Sequence, residues 1–499
     1  MTHTFKLIKG AGILFIIGLI TSALAYLIRL VLARKLSLED FGLFFAVYSF
    51  ILMVGWTKSF GLGSAIQKYL PEFRVKNQHD HIKSIITFSL IFITLTTFLV
   101  LLMTFLTPDK FINSFFKSTG SKSLILILLF FTLIDGFSQI ISSYFLSMNF
   151  YFLHSLRDFI IKVIVMLILI FTLNPSVLQV GFFYLIGSVI GLIVHLIFFL
   201  KTFSYFQHKF TLKKSMMVTW FKFSLPMTIK ELFDVFMSYS DNLILVFFRP
   251  LVEIGIYNVI LPTADLLLIV GRPFGRIFFP LTSELNSLNK LSDLSFLIEK
   301  THKYLLIILI PISCFLFVFA EKVLELLFGK EYAFGFHGLQ IMVLGYLFPT
   351  LSLVSYNALL GLGKSKNVAR TTIIANVLNL ILNLILIPHF GKMEQGYIGA
   401  ILGTVISSLF LFIALSFSLY NLVNYFPKVK LFLFLFLIEF IFIFIGYSIK
   451  NNLFPYYYSM LIFSSILMVI YPLILYLFNI ISTKEIKGMF LLIKKGFNF

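Results

Sequence analysis

Charged side chains are scarce in this chain: Asp, Glu, Lys and Arg supply 12% of its 499 residues, against 59% hydrophobic residues and a mean hydropathy of +1.00. A water-soluble domain carries about 25% charged residues, so a globular reading is excluded. Cysteine occurs once, at Cys314, which rules out an intrachain disulfide and leaves packing inside an apolar run as its expected role. Long polar stretches are also missing. The widest gaps between apolar runs hold about twenty residues, too few for a soluble domain of their own. No catalytic constellation and no set of metal ligands is expected.

What is there is apolar and long. Phe alone accounts for 64 residues, spread through the runs rather than gathered at their ends. A helix needs about 20 apolar residues to cross ~30 Å of hydrocarbon. On that measure, spans are expected at 10–32, 41–63, 84–107, 123–147, 158–173 and 178–200, and again at 224–248, 254–280, 303–320, 337–360, 368–388 and 396–420. A final pair is expected at 431–449 and 456–478, which makes fourteen. The expected fold is an all-α polytopic membrane protein.

The first half is echoed about 213 positions later: Tyr26 falls on Tyr239, Gly42 on Gly255, Arg157 on Arg370 and Pro175 on Pro388. Few identities survive, but each pair sits at an equivalent helix end, turn or break. The expected organisation is an N-lobe at 1–205, a cytoplasmic linker at 206–223, a C-lobe at 224–425, and an extra helix pair with a basic tail at 426–499. Six spans per copy is an even number, so the copies share one orientation and form a parallel repeat about an axis along the membrane normal.

The net charge of +19 follows topology, not nucleic acid. With the N-terminus inside, the inner tails and loops, counted with Lys303 and Arg370 at the adjoining span ends, hold 24 Lys and Arg and the outer loops 10. That bias puts both termini in the cytoplasm of a multi-pass plasma-membrane protein, with anionic lipid as the partner of the basic loops. Lys6, Lys9 and Ala23-Leu24-Ala25 resemble a cleavable leader. Apolar residues continue through Leu32, however, and the second copy has the same span internally, so the first span is read as retained.

Ionisable residues at membrane depth are costly and mark working surfaces. The first copy offers Arg29, Lys58, Asp135 and Lys162; the second offers Lys230, Glu231, Asp234, Asp241, Asp265, Arg272 and Arg276. Asp265, Arg272 and Arg276 share one face of the eighth span, and Lys230, Asp234 and Asp241 share one face of the seventh. At the repeat offset Lys58 falls on Gly271, beside Arg272, so both copies carry a cation at one depth. Arg29, Lys58, Arg272 and Arg276 are the expected cavity cations. Asp135, Lys230, Asp234, Asp241 and Asp265 are expected to pair with charges or to couple transport to an ion.

Other patterns read as architecture. Asn376, Asn379 and Asn383 form a stripe suited to interhelical hydrogen bonds, and Gly396, Gly399 and Gly403 suit close helix packing. Pro226, Pro262, Pro273 and Pro280 are expected to interrupt the seventh and eighth spans. Gly361-Leu362-Gly363-Lys364-Ser365 lacks the first glycine of a phosphate loop, since Ala358 stands there, and nucleotide binding is rejected.

ARKLSLEDFGLFFAVYSF at 33–50, FGLGSAIQKYLPE at 60–72, SYSDNLILVFFRPLVEIGIYNVILP at 238–262 and LGKSKNVARTTIIANVLNLILNLILIPHFGKMEQGYIGAILGT at 362–404 carry a resemblance. In that order they resemble the MOP superfamily of exporters, in its polysaccharide and oligosaccharide-lipid flippase branch. The resemblance implies two six-helix lobes, alternating access, and polyisoprenyl-diphosphate-linked sugar as cargo. Glycosyltransferases or a polymerase of the same pathway would be its partners. No cofactor is implied, and coupling to a proton or sodium gradient is left open.

Three rivals are weighed. A multidrug cation antiporter of the same superfamily often has an acid in its first helix, and residues 10–32 contain no Asp or Glu. A flippase for lipid-linked cell-wall precursors is separated poorly by sequence. A membrane glycosyltransferase would have to use Glu39-Asp40, in a loop of about eight residues, too short for a water-excluding donor site.

Overall fold

The structure, a computed structural model, describes residues 3–55, 60–425, 427–452, 456–478 and 480, and helix is the regular structure found among them. In order the helices are α1 (His3–Lys35), α2 (Leu38–Val54), α3 (Leu62–Val75), α4 (His79–Leu106), α5 (Asp109–Phe116), α6 (Ser121–Ser147), α7 (Tyr151–Phe171) and α8 (Val177–Thr202). Then come α9 (Lys214–Phe248), α10 (Leu251–Ala264), α11 (Leu266–Ser287), α12 (Leu291–Val318), α13 (Ala320–Phe328), α14 (Phe336–Gly345) and α15 (Leu347–Gly361). The last four are α16 (Ser365–Gly391), α17 (Gly396–Val423), α18 (Val429–Asn452) and α19 (Tyr456–Leu477).

Each expected span is met mainly by helix, with a turn at 60–61 inside the second and a joint at Asp265 inside the eighth, and among the described residues eleven helices are long and apolar enough to cross a membrane. Three expected spans fall outside those eleven for visible reasons. Helix α2 has 17 residues, α7 carries Arg157, Asp158 and Lys162, and α9 carries Lys230, Glu231, Asp234 and Asp241.

The repeat is legible in the helix ends. Helix α2 starts at Leu38 and α10 at its equivalent, Leu251. The short helices α5 and α13, which hydropathy did not reveal, sit at matching places. Asn77 after α3 and Asn289 after α11 both adopt positive φ, 54° in each case. Their neighbours close the same turn, with Gln78 N–H donating to Phe73 O and Lys290 N–H to Leu285 O. Asn tolerates this left-handed stop better than most residues.

The proline expectations need correction. Helix α9 runs unbroken past Pro226, and Pro273 and Pro280 lie inside α11. A proline removes one ladder bond, and a long helix absorbs that loss when its other bonds hold. The joint that does form, between α10 and α11, falls at Asp265 after Pro262.

Contacts divide the chain into two compact units. Unit 1 comprises Met1–Val259, Leu327–Tyr332 and Leu380–Ala400; unit 2 comprises Ile260–Leu326, Ala333–Asn379 and Ile401–Phe499. These units do not follow the expected boundary at 206–223, because α9 and most of α10 pack with the first copy. Close backbone approach is the reason. A Cβ on Gly61 would strike Ser224 O and come within 3.0 Å of Thr228 Oγ1, so α9 lies directly on the start of α3.

Unit 1 has a core of Leu62, Ile66, Leu70, Ile85, Phe145 and Trp220, all buried. Its helix ends are tied off locally. Ser37 caps α2 by accepting from Asp40 N–H at 3.1 Å, with Glu39 and Asp40 in the first turn, where the helix dipole favours acids. The Glu39-Asp40 pair is thus a helix start. Lys35 donates to Leu169 O and to Thr172 O, the latter at 2.7 Å, closing the carbonyl end of α7.

Unit 2 is built on α12. His302 Nε2–H donates to Leu351 O at 3.1 Å, which leaves Nδ1 to accept from Tyr425 Oη–H at 2.6 Å. One buried ring therefore joins α12 to α15 and to the α17–α18 connection. Gly271 and Gly275 of α11 face α15, where a Cβ on Gly271 would meet Thr350 at 2.5 Å.

Candidate functional site

The polar centre of unit 1 begins with Asp135 on α6. Its side chain is nearly enclosed, 6% accessible, and an isolated carboxylate there would carry a large desolvation cost. Arg157 on α7 meets it with a planar fork: Nε–H donates to Oδ1 at 2.8 Å and Nη2–H to Oδ2 at 2.7 Å. Arg157 also lies 3.7 Å from Asp158, and Lys162, one helical turn on, is in electrostatic reach of Asp158 and Asp135.

Aromatic rings surround this charge group. Tyr48 and Tyr184 stand 5.6 Å apart, Tyr48 stacks on Phe44 at 5.6 Å, and Phe131 meets Tyr184 edge-on at 5.9 Å. Arg29, half-buried on α1, places its guanidinium 4.4 Å from the Phe45 ring centre, and its charge reaches Tyr184 and Tyr239. A cation over a ring face gains about 0.5–2 kcal/mol. Arg29, Arg157 and Lys162 stand with Asp135 and Asp158 beside flat rings, a set that suits an anionic group joined to a sugar, with guanidinium for the anion and ring faces for the pyranose.

A second centre in unit 1 surrounds Asp241 on α9. Tyr257 Oη–H donates to Oδ2 at 2.7 Å and Asn383 Nδ2–H to Oδ1 at 2.6 Å. Both of these contacts are hydrogen bonds from neutral groups to the carboxylate. One helical position on, Asn258 Nδ2–H donates to Asn242 Oδ1 at 2.7 Å.

The remaining expected residues are placed as follows. Lys58 lies outside the described residues, as does the side chain of Arg276 on α11. Arg272 is exposed on α11 in unit 2, one position beyond the glycine packed on α15. The expectation that Lys58 and Arg272 carry a cation at one depth of the two copies therefore involves a residue outside the described ones. Asp265 marks the α10–α11 joint. Lys230 and Asp234 pair at 2.7 Å, with both side chains mostly accessible. Asn383 bonds Asp241, and Asn379 Nδ2–H reaches Thr404 Oγ1 at 3.4 Å.

Two residues were missed. Arg157 was read only as a mark of the repeat, because the fifth span was started at 158; α7 in fact begins at Tyr151. An acid as deep as Asp135 was itself the signal that a cation must lie nearby. Glu439, on α18, is 2% exposed and was overlooked in a run of Phe and Leu. Away from the spans, Arg249 pairs with Glu253, whose Oε2 also accepts from Tyr397 N–H at 3.0 Å. Lys117 donates to Arg249 O at 2.8 Å, and burial beside the Arg249 charge lowers its ammonium pKa.

Comparison with known proteins places this architecture. The polysaccharide biosynthesis protein family matches residues 7–286, and MatE matches residues 226–385. An uncharacterized membrane protein of Methanocaldococcus jannaschii, MJ1068, is 27% identical over 437 residues, which cover 81% of this chain and 82% of that protein. The probable low-salt glycan biosynthesis flippase Agl15 of Haloferax volcanii is 25% identical over 187 residues, covering 38% of this chain and 39% of that one. Among solved structures, the lipid II flippase MurJ in an inward closed conformation shares the fold with a TM-score of 0.72 at 18% identity, over 94% of this chain and 99% of that one.

Proposed function

Because the chain belongs to the polysaccharide biosynthesis protein family of MOP exporters, and so is a multi-pass membrane transporter of flippase type, we propose that it moves polyisoprenyl-diphosphate-linked oligosaccharide across the plasma membrane. The observation that carries this reading is the cluster of Arg29, Arg157 and Lys162 among Tyr48, Tyr184 and Tyr239 in unit 1. A sugar diphosphate cannot enter hydrocarbon bare, since its charges and hydroxyls would lose water without replacement. Arg29 offers donors to the diphosphate, the tyrosine rings offer stacking faces to the first sugars, and the lipid tail stays in the bilayer. The two six-helix copies alternate access about this group, with both termini cytoplasmic as the Lys and Arg bias implies. Glycosyltransferases supply the cargo on the inner face, and a polymerase or transferase consumes it outside.

Asp241, held by Tyr257 and Asn383, is the coupling group for a proton or sodium ion. It also favours the second reading, cation antiport, in which Asp241 would bind an organic cation in exchange. Transbilayer movement of a labelled lipid-diphosphate oligosaccharide in proteoliposomes, set beside uptake of an organic cation dye, separates the two. Movement of the lipid without the dye supports flipping, and dye movement alone overturns it.

A further inference from the structure

Glu439 lies near the middle of α18, flanked on that helix by Lys430 and Lys450, about 13 Å and 16 Å away along the axis at 1.5 Å per residue. Lys450 is engaged with Glu321 at 3.4 Å, and Lys428, just before the helix, with Glu299 at 2.8 Å. At Glu439 itself, α12 brings Ser313 and Cys314, and α19 brings Tyr471. Among the described residues no Lys, Arg or His pairs with this carboxyl. Ionised, it would be an uncompensated charge deep in an apolar seam.

The hydrogen bonds point the same way. Ser313 Oγ lies 2.9 Å from Ile310 O and also in hydrogen-bond contact with Glu439 Oε1. A hydroxyl has one hydrogen to give. If Glu439 were a carboxylate, Ser313 could satisfy it or Ile310 O, but not both. If Glu439 carries the proton, its O–H donates to Ser313 Oγ, and Ser313 donates onward to Ile310 O. Every contact is then met.

The seam also holds an unused donor. Tyr471 Oη is buried with no hydrogen-bond partner, its ring packed edge-on against Phe442 at 5.8 Å. Cys314 Sγ–H donates to Glu439 O at 3.6 Å, fixing α12 to α18 beside the carboxyl.

We propose that Glu439 is a proton-binding site that locks α18 and α19 onto α12 when loaded. Losing the proton to water leaves a carboxylate that Ser313 alone cannot satisfy, and the seam opens toward water and the idle Tyr471 hydroxyl. The titratable groups facing Glu439 are Cys314 from α12 and Tyr471 from α19, both neutral in the closed seam. The claim does not depend on the cargo.

The chain carries its own reporter, because Cys314 is its single thiol. The full-length protein in proteoliposomes is exposed to a membrane-permeant maleimide from mildly acid to alkaline pH, beside Glu439→Gln, which keeps the shape of the protonated acid. A carboxylate beside Cys314 disfavours the thiolate in wild type alone, so the thiol's own ionisation can only oppose the expected gain and cannot mimic it. Wild type is expected to gain several-fold more labelling with rising pH than the variant; equal profiles would overturn the proposal. Infrared difference spectra at neutral pH give a second readout. A protonated carboxyl C=O band should be present in wild type and missing in Glu439→Gln, and its absence from wild type would overturn the proposal. Should the Gln variant fail to fold, Ser313→Ala must shift that band by removing its hydrogen-bond acceptor, and an unmoved band counts against the site.

Discussion

Gly42 and Gly255, equivalent residues of the two copies, meet within unit 1 where α2 crosses α10. A Cβ on Gly255 would come within 2.8 Å of Leu38 O and 3.6 Å of Gly42 N, and a Cβ on Gly42 would strike the Leu251 carbonyl. Leu38 and Leu251 are themselves equivalents, so the contact is reciprocal. The reciprocity is that of equivalent residues in two repeated segments, and only small residues let the backbones of α2 and α10 approach so closely.

Adding side chains there should therefore destabilise. Gly42→Val or Gly255→Val is expected to cost about 1–3 kcal/mol through overpacking, read as a lower Tm in detergent. Gly18→Ala is the control, since a Cβ there meets nothing within 4 Å. An unshifted Tm in both valine variants would mean the crossing is loose.

The Asp135–Arg157 fork makes a different prediction. Removing either partner deprives a buried charge of its two-pronged contact and should cost about 3–5 kcal/mol. Asp135→Asn combined with Arg157→Gln removes both charges and should recover much of that loss. Thermal unfolding of the two single variants and the double variant tests this; strictly additive losses would show that the pair is not coupled.

By contrast, the Lys230–Asp234 pair lies 71% and 59% accessible, where solvent screening leaves about 0.5 kcal/mol or less. Lys230→Ala should unfold within a degree or two of wild type. A large drop in Tm would place this pair in the protein's core machinery.

Asp241→Asn keeps the side chain's shape and removes its charge. If this carboxylate carries the coupling ion, the variant should fold normally yet lose the dependence of translocation on an imposed proton or sodium gradient. Gradient dependence equal to wild type would assign coupling elsewhere.

Hydropathy gave the spans, and the offset of Gly42 from Gly255 gave the repeat, because bilayer thickness and close packing each leave a one-dimensional trace. The short helices α5 and α13 escaped because each is under three turns and amphipathic, so a twenty-residue measure averages them away. Asp135 was recognised as costly, but its partner was not, since depth along one helix says nothing about which neighbour faces it. Glu439 was lost for the opposite reason: α18 is so apolar that a single acid barely moves its average. Arg29 was legible from depth alone, whereas the ring beneath it belongs to α2 and needed the fold.

The most direct test of the proposed cargo site is transbilayer movement of a labelled polyisoprenyl-diphosphate oligosaccharide by wild type, Arg29→Lys and Arg29→Ala in proteoliposomes. A charge-assisted contact worth about 1.5–3 kcal/mol predicts that Arg29→Ala moves the lipid about tenfold to a hundredfold more slowly at limiting substrate, with Arg29→Lys in between. Wild-type rates in a folded Arg29→Ala protein would contradict the account.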